Sequence, residues 1–126
     1  MNRARARANQ AGTRANQAGA RAEDLCAGLL RGAGLRVLER NWRSRLGEID
    51  LIADDGGVLV FVEVRMRRGW GFGGAAESVT AAKRARILAA AQLYLSRRPQ
   101  ARCRFDVFLI DGPAGDVQWI RDAFGE

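Results

Sequence analysis

The stretch Gly47–Arg67, GEIDLIADDGGVLVFVEVRMR, decides how this chain is read. Two runs rich in β-forming residues, 47–53 and 58–65, flank DDGG, a strong signal for a tight hairpin turn. Yet the hairpin gathers Glu48, Asp50 and Glu63, with Arg65 two residues beyond the last. Side chains alternate faces along a strand, so Glu48 and Asp50 share one face of the first strand, and Glu63 and Arg65 one face of the second. The turn decides how these faces meet. A loop of Asp55 and Gly56 sets Glu48 opposite Glu63, and a loop of Gly56 and Gly57 sets Asp50 opposite Glu63. Either loop puts all three carboxylates on one face; an odd-length loop would not. Like charges opposed across a hairpin are unfavourable, so solvent, a cation or raised pKa values must compensate. The flanking LIA and VLVFV are too apolar for a fully solvated face. A divalent cation held by Asp50 and Glu63 resolves the conflict, and oxygen ligands without thiolate or imidazole suit Mg²⁺ or Mn²⁺. The alternative is that Arg43, Arg45, Arg65 and Arg67 pair with these acids at a solvated sheet end.

Working outward, Leu25, Cys26, Leu29, Leu30 and Ala33 give an apolar helical face that Gly32 and Gly34 end. LRVLERNWRS then reads as a strand. Beyond the hairpin, RRGWGFGGAAES is a glycine-rich loop. A second helix follows, capped by Ser78 or Thr80 and ending before Pro99, with Ile87, Leu88, Ala91, Tyr94 and Leu95 on its apolar face. CRFDVFLI is a buried-looking strand and VQWI a last short one. The order α-β-β-β-α-β-β defines an α/β domain over residues 21–126. Residues 1–20 form a basic low-complexity tail in which RANQAGT is followed by RANQAGA; the repeat offers no large apolar residue for a coiled-coil seam and reads as mostly disordered, with helix as the alternative near its junction with the domain.

The chain carries a net charge of +7, and five arginines without an acid in residues 1–22 supply +5 of it. The basic character therefore belongs mainly to the tail, a common way to hold phosphate. A single domain is expected from 126 residues. No apolar run is long enough to span a membrane. Histidine is absent, which removes Ser-His-Asp and Cys-His catalysis and every histidine-ligated zinc site. Cys26 and Cys103 stand far apart in apolar stretches and read as reduced core thiols of a cytoplasmic protein.

The blocks GEIDLIA, LVFVEVR, FGGAAESVTAAKRARI and RFDVFLI closely resemble the YraN-like family, from about Arg21 to Phe124. The resemblance implies a restriction-endonuclease-like mixed β-sheet flanked by helices, shared with Holliday-junction resolvases, and a PD-(D/E)XK metal-dependent nuclease site. Asp50 and Glu63 fall on its metal-binding acids, Glu23 on the acid of the first helix in the resolvase-like branch, and Arg65 on the lysine position. The last is a departure: arginine stays protonated and supplies only the electrostatic part of that lysine's role. Lys83, the only lysine in the chain, reads as a solvated or phosphate-contacting helix residue, with a lysine migrated to the site as the alternative. Asp106 is a family position, second to the site or paired with a nearby arginine.

The basic segments RMRRGWGF and KRAR suit phosphate contact and base stacking, which nominates Arg67, Arg68, Trp70, Lys83 and Arg84 for nucleic-acid binding. Trp42 and Trp119 read as core residues. The expectation is thus a Mg²⁺- or Mn²⁺-dependent nuclease acting on DNA, branched or structured DNA included, with Glu23, Asp50, Glu63 and Arg65 as its catalytic set. A homodimer is left open. The rival is a nucleic-acid-binding module that keeps the fold without turnover.

Overall fold

Gly56 and Gly57 settle the hairpin. Both have positive φ, 58° and 100°, as the favoured two-residue hairpin turn requires, and Asp55 pairs with Val58 across them. The loop is therefore Gly56–Gly57, and continuing the register places Asp50 opposite Glu63. This is a computed structural model, and it describes residues 10–67, 79–111 and 116–125. The elements follow the expected order: α1 (Gln10–Gly32), β1 (Arg36–Ser44), β2 (Gly47–Asp55), β3 (Val58–Arg67), α2 (Ala81–Leu95), β4 (Arg102–Asp111) and β5 (Asp116–Phe124).

The strands form one mixed sheet in the order β1-β2-β3-β4-β5. Only β3 and β4 run parallel, and α2 makes the crossover between them; the other neighbours are antiparallel. The inner strands are apolar on both faces, as a sheet covered on both sides demands. On one face Ile52, Phe61, Val107 and Leu109 pack with Ile87, Ala90, Ala91 and Tyr94 of α2. On the other, Leu51, Val60, Val62 and Phe108 pack with Ala22, Cys26, Ala27 and Leu30 of α1.

The caps fix where each helix ends. Gly34 has φ 92°; Leu35 N–H donates to Leu30 O at 3.0 Å and Gly34 N–H to Arg31 O at 2.9 Å, the left-handed glycine stop. Thr80 caps α2, its Oγ1 accepting from Lys83 N–H at 3.1 Å. Ser78, the other candidate cap, lies outside the described residues. Gly47 allows α2 to approach β2: a Cβ there would meet Arg86 O at 2.8 Å.

Two expectations are corrected, the facing of α1 and the burial of Cys103. α1 begins at Gln10, within the repeat next to the domain. Alanine, glutamine and arginine are good helix formers, and a helix propagates from a docked segment at little cost. Its buried stripe is Ala22, Cys26, Ala27 and Leu30, whereas Leu25 and Leu29 are 43% and 40% exposed: the small residues let the helix lie close to the sheet and turn the leucines outward. Cys103 is exposed near the start of β4 and only Cys26 is a core thiol. Trp42 packs partly buried against the α2-side core, and Trp119 stacks on Phe108 with ring centroids 5.1 Å apart.

Asp106, fully buried on β4, is structural. Its Oδ1 accepts from Arg104 Nε at 3.1 Å and from Asp122 N–H at 3.0 Å, and its Oδ2 accepts from Trp119 Nε1 at 3.0 Å. The β4–β5 register shifts between Phe105 and Val107, and Asp122 takes a left-handed φ of 53°. Asp106 thus holds a β-bulge, satisfying the N–H that the ladder leaves out. The reading of Asp106 as the partner of an arginine is met by Arg104.

Candidate functional site

The β2–β3 ladder is described as far as Leu51 opposite Val62. Beyond that pair the side chain of Asp50 takes over from the backbone: its Oδ2 accepts from Val64 N–H at 2.8 Å. Asp50 is half-buried and Glu63 is 4% exposed. Two carboxylates thus meet in a poorly solvated place, the conflict anticipated from the sequence.

The electrostatics follow. Burial raises the pKa of Asp50, which the Val64 N–H and Lys83 oppose. Burial, then the Asp50 charge, pushes Glu63 up to about 7, against the pull of Lys83. Lys83 Nζ lies 3.4 Å from Glu63 Oε1. The only lysine of the chain therefore reaches the acid pair from α2, the alternative that the helix position had ranked second. The Thr80 cap sets the phase that aims it there. Arg65 stands half-buried on β3, and its charge lowers the pKa of both Asp50 and Glu63.

Glu23 arrives from the opposite face, on α1. Asn41 Nδ2 donates to its Oε1 at 3.0 Å, and Arg40 Nη2 lies 3.6 Å from the same atom. Burial, then the charge of Asp50, raises its pKa. Cys26, one turn on, is pushed up to about 12 by burial and by the charges of Asp50 and Glu23, so it stays a thiol. The charge of Asp50 on β2 therefore acts on both Glu23 of α1 and Glu63 of β3.

Glu48 does not join them as expected. Its side chain is exposed and lies 3.6 Å from Arg43, although its charge still raises the pKa of Asp50. It lines a cavity of ≈ 270 Å³ with Gly47, Lys83, Arg86 and Ile87, beside the acid pair. Of the residues nominated for nucleic acid, Arg84 holds the start of α2, its Nε donating to Val79 O at 2.8 Å. Arg67 ends β3, and Arg68 and Trp70 lie outside the described residues. Sequence reasoning missed Asn41 and Arg40. An asparagine inside a strand is itself a signal, because asparagine is a poor strand former and tolerates left-handed backbone.

Among the described residues no group of three or more acids or thiols is arranged to enclose a metal. The donor set offered is a pair of carboxylates with a third acid nearby. That suits Mg²⁺, which keeps several waters and is bound through one or two carboxylates plus substrate oxygens.

The like-charged pair makes stability depend on pH. Glu63 ionises near its ordinary 4.5 when unfolded and near 7 when folded, so the folded protein holds the extra proton between those values. Its stabilisation is complete below about 4.5 and is lost as pH rises through about 7; the raised pKa of Asp50 acts in the same direction. The metal-free protein is expected to melt at lower temperature at pH 8 than at pH 5, with Glu63→Gln flattening the difference. Parallel melting curves for the two proteins across that range would show that Glu63 is not the proton holder.

The family described as Uncharacterised protein family UPF0102 matches residues 22–110. A UPF0102 protein of Dechloromonas aromatica (strain RCB) is 57% identical over 102 residues, 81% of this chain and 83% of its own. One from Halorhodospira halophila is 52% identical, covering 82% and 84%, and one from Rhodococcus opacus (strain B4) is 51% identical, covering 81% and 91%. The matched segment contains Glu23, Asp50, Glu63 and Lys83 and omits the repeat tail.

Proposed function

The chain belongs to the uncharacterised protein family UPF0102, and from that premise we propose that it is a restriction-endonuclease-like, divalent-metal-dependent nuclease that hydrolyses phosphodiester bonds in DNA, branched or structured DNA included. The observation that carries this reading is the like-charged pair of half-buried Asp50 and buried Glu63, with Lys83 at 3.4 Å from Glu63. Asp50 and Glu63 would hold Mg²⁺ or Mn²⁺, with Glu23 supporting from α1. When bound, such an ion neutralises phosphate charge and sharpens a water nucleophile. The chain's own residues do the rest. Lys83 supplies a cation that faces the charge developing on the phosphate, and Arg65 adds a second cation on the strand. Arg86 and Lys83 line the adjoining cavity and give it a basic wall suited to a phosphate of the same backbone.

The rival reading, a DNA-binding module without turnover, rests on Arg65 at the position where the resemblance puts lysine. One experiment decides between them. Mn²⁺ is titrated into wild type and Asp50→Ala, following melting temperature, with cleavage assayed on linear, flapped and four-way DNA. A metal bound only by the folded state stabilises it by about 2.7 kcal/mol at a hundredfold excess over Kd. Wild type is expected to shift upward and cut, and Asp50→Ala to do neither. Equal shifts in both proteins would remove the metal from Asp50, and DNA binding without cleavage would move the function to the module.

A further inference from the structure

Asn41 sits inside strand β1 with φ 51°, a left-handed backbone rarely seen in a strand interior. The register across it is unbroken: Arg40 pairs with Leu51 and Trp42 with Ile49. What the left-handed residue changes is the facing of side chains. In a regular strand, residues 40 and 42 share one face and 41 takes the other. Here Arg40 and Asn41, adjacent residues, both reach Glu23 on α1, at 3.6 Å and 3.0 Å. Trp42 instead packs in the core on the α2 side, its ring 5.3 Å from that of Tyr94. The left-handed turn thus reverses the alternation at one point and brings the Asn41 amide to Glu23 as a donor, beside Arg40, whose guanidinium donates to Asp24 at 2.6 Å and stands in ion-pair range of Glu23.

A strand that served only to cover α1 would not need this. Backbone in a sparsely populated region costs on the order of 1–3 kcal/mol and persists where the surroundings impose it, often at functional sites. The group served here is an acid that shares the field of Asp50. Both contacts fall on Glu23 Oε1, which leaves Oε2 as the oxygen to offer a cation.

We propose that Asn41 is a positioning residue: its left-handed turn and its amide hold Glu23 on the Asp50 side of α1, from where Glu23 supports cation binding by the Asp50–Glu63 pair. The proposal rests on the metal site proposed above. Residues that orient metal ligands are commonly worth 10- to 100-fold in affinity.

The test uses Asn41→Gly in the full chain. Glycine takes φ 51° without strain, so the backbone is kept and only the amide is lost. Mn²⁺ binding is measured by calorimetry for wild type, Asn41→Gly, Glu23→Gln and the double variant, with melting temperatures alongside. The expected result is a loss of affinity of about tenfold or more in Asn41→Gly and no further loss when it is added to Glu23→Gln. A merely structural asparagine would lower the melting temperature and leave affinity, and its coupling to Glu23, unmoved. Wild-type Mn²⁺ affinity retained in Asn41→Gly overturns the positioning role while leaving the metal site standing. A wild type that binds no Mn²⁺ overturns both.

Discussion

Lys83→Ala is expected to cut Mn²⁺-dependent DNA cleavage by about a hundredfold or more, the usual cost of removing one group aimed at transition-state charge. The ammonium sits 3.4 Å from Glu63, where it is the counter-charge of a buried acid and stands beside any phosphate brought to the pair. Metal affinity should move the other way. Removing Lys83 takes away a cation that competes for Glu63, so Mn²⁺ should bind as tightly as before or more tightly. That split between turnover and metal binding separates a cation directed at substrate from one that props up the site. Lys83→Arg should recover part of the rate, because the charge is kept while its shape and reach change. Cleavage undiminished in Lys83→Ala but lost in Arg65→Ala would return the role to the strand cation.

The second large effect is one of stability and lies away from the acid pair. Asp106→Ala is expected to cost about 3–5 kcal/mol, the range found when one partner is removed from a buried charged pair. Arg104 retains Asp55 at 2.7 Å, but the indole N–H of Trp119 and the N–H of Asp122 lose their acceptor. At roughly 4–8 °C per kcal/mol for a domain of this size, the melting temperature should fall by more than 10 °C. Asp106→Asn should also destabilise. Both carboxylate oxygens accept hydrogen bonds from N–H groups, and an amide must turn its own NH₂ toward one of those donors. Urea denaturation of the three proteins measures this. A cost below about 1 kcal/mol, the level of an ordinary hydrogen bond, would mean that the bulge holds its shape without Asp106.

Much of this was legible in the sequence, for reasons that differ from element to element. The helix and strand order follows from periodicity and from glycine and proline punctuation, which are local signals. The pairing of Asp50 with Glu63 was one of two registers that local chemistry allowed. The choice fell to Gly56 and Gly57, the two residues that take positive φ most readily. The facing of α1 was misjudged because hydrophobicity draws Leu25 and Leu29 inward, whereas close packing on the sheet favours the smaller Ala22, Cys26 and Ala27. Lys83 could be ranked only by its position in a helix. Its arrival at Glu63 depends on the phase set by the Thr80 cap and on the approach that Gly47 permits, neither of which a strand-based motif contains. Glu48 was placed with the acids by strict alternation, and it is instead exposed beside Arg43 at the sheet end.

The two helices lie on opposite faces of the sheet, yet each sends a charged group to the acid pair, Glu23 from α1 into the field of Asp50 and Lys83 from α2 to Glu63. The site is therefore a coincidence detector for folding. A chain emerging from the ribosome with only its first ninety or so residues free cannot yet carry a docked α2, and one whose first helix has peeled away has lost Glu23. Neither species presents the complete set of charges. If the proposed nuclease reading holds, this would act as a safety interlock: the charges the reaction needs would come together only with the finished tertiary structure, and a damaged or half-made copy would lack them.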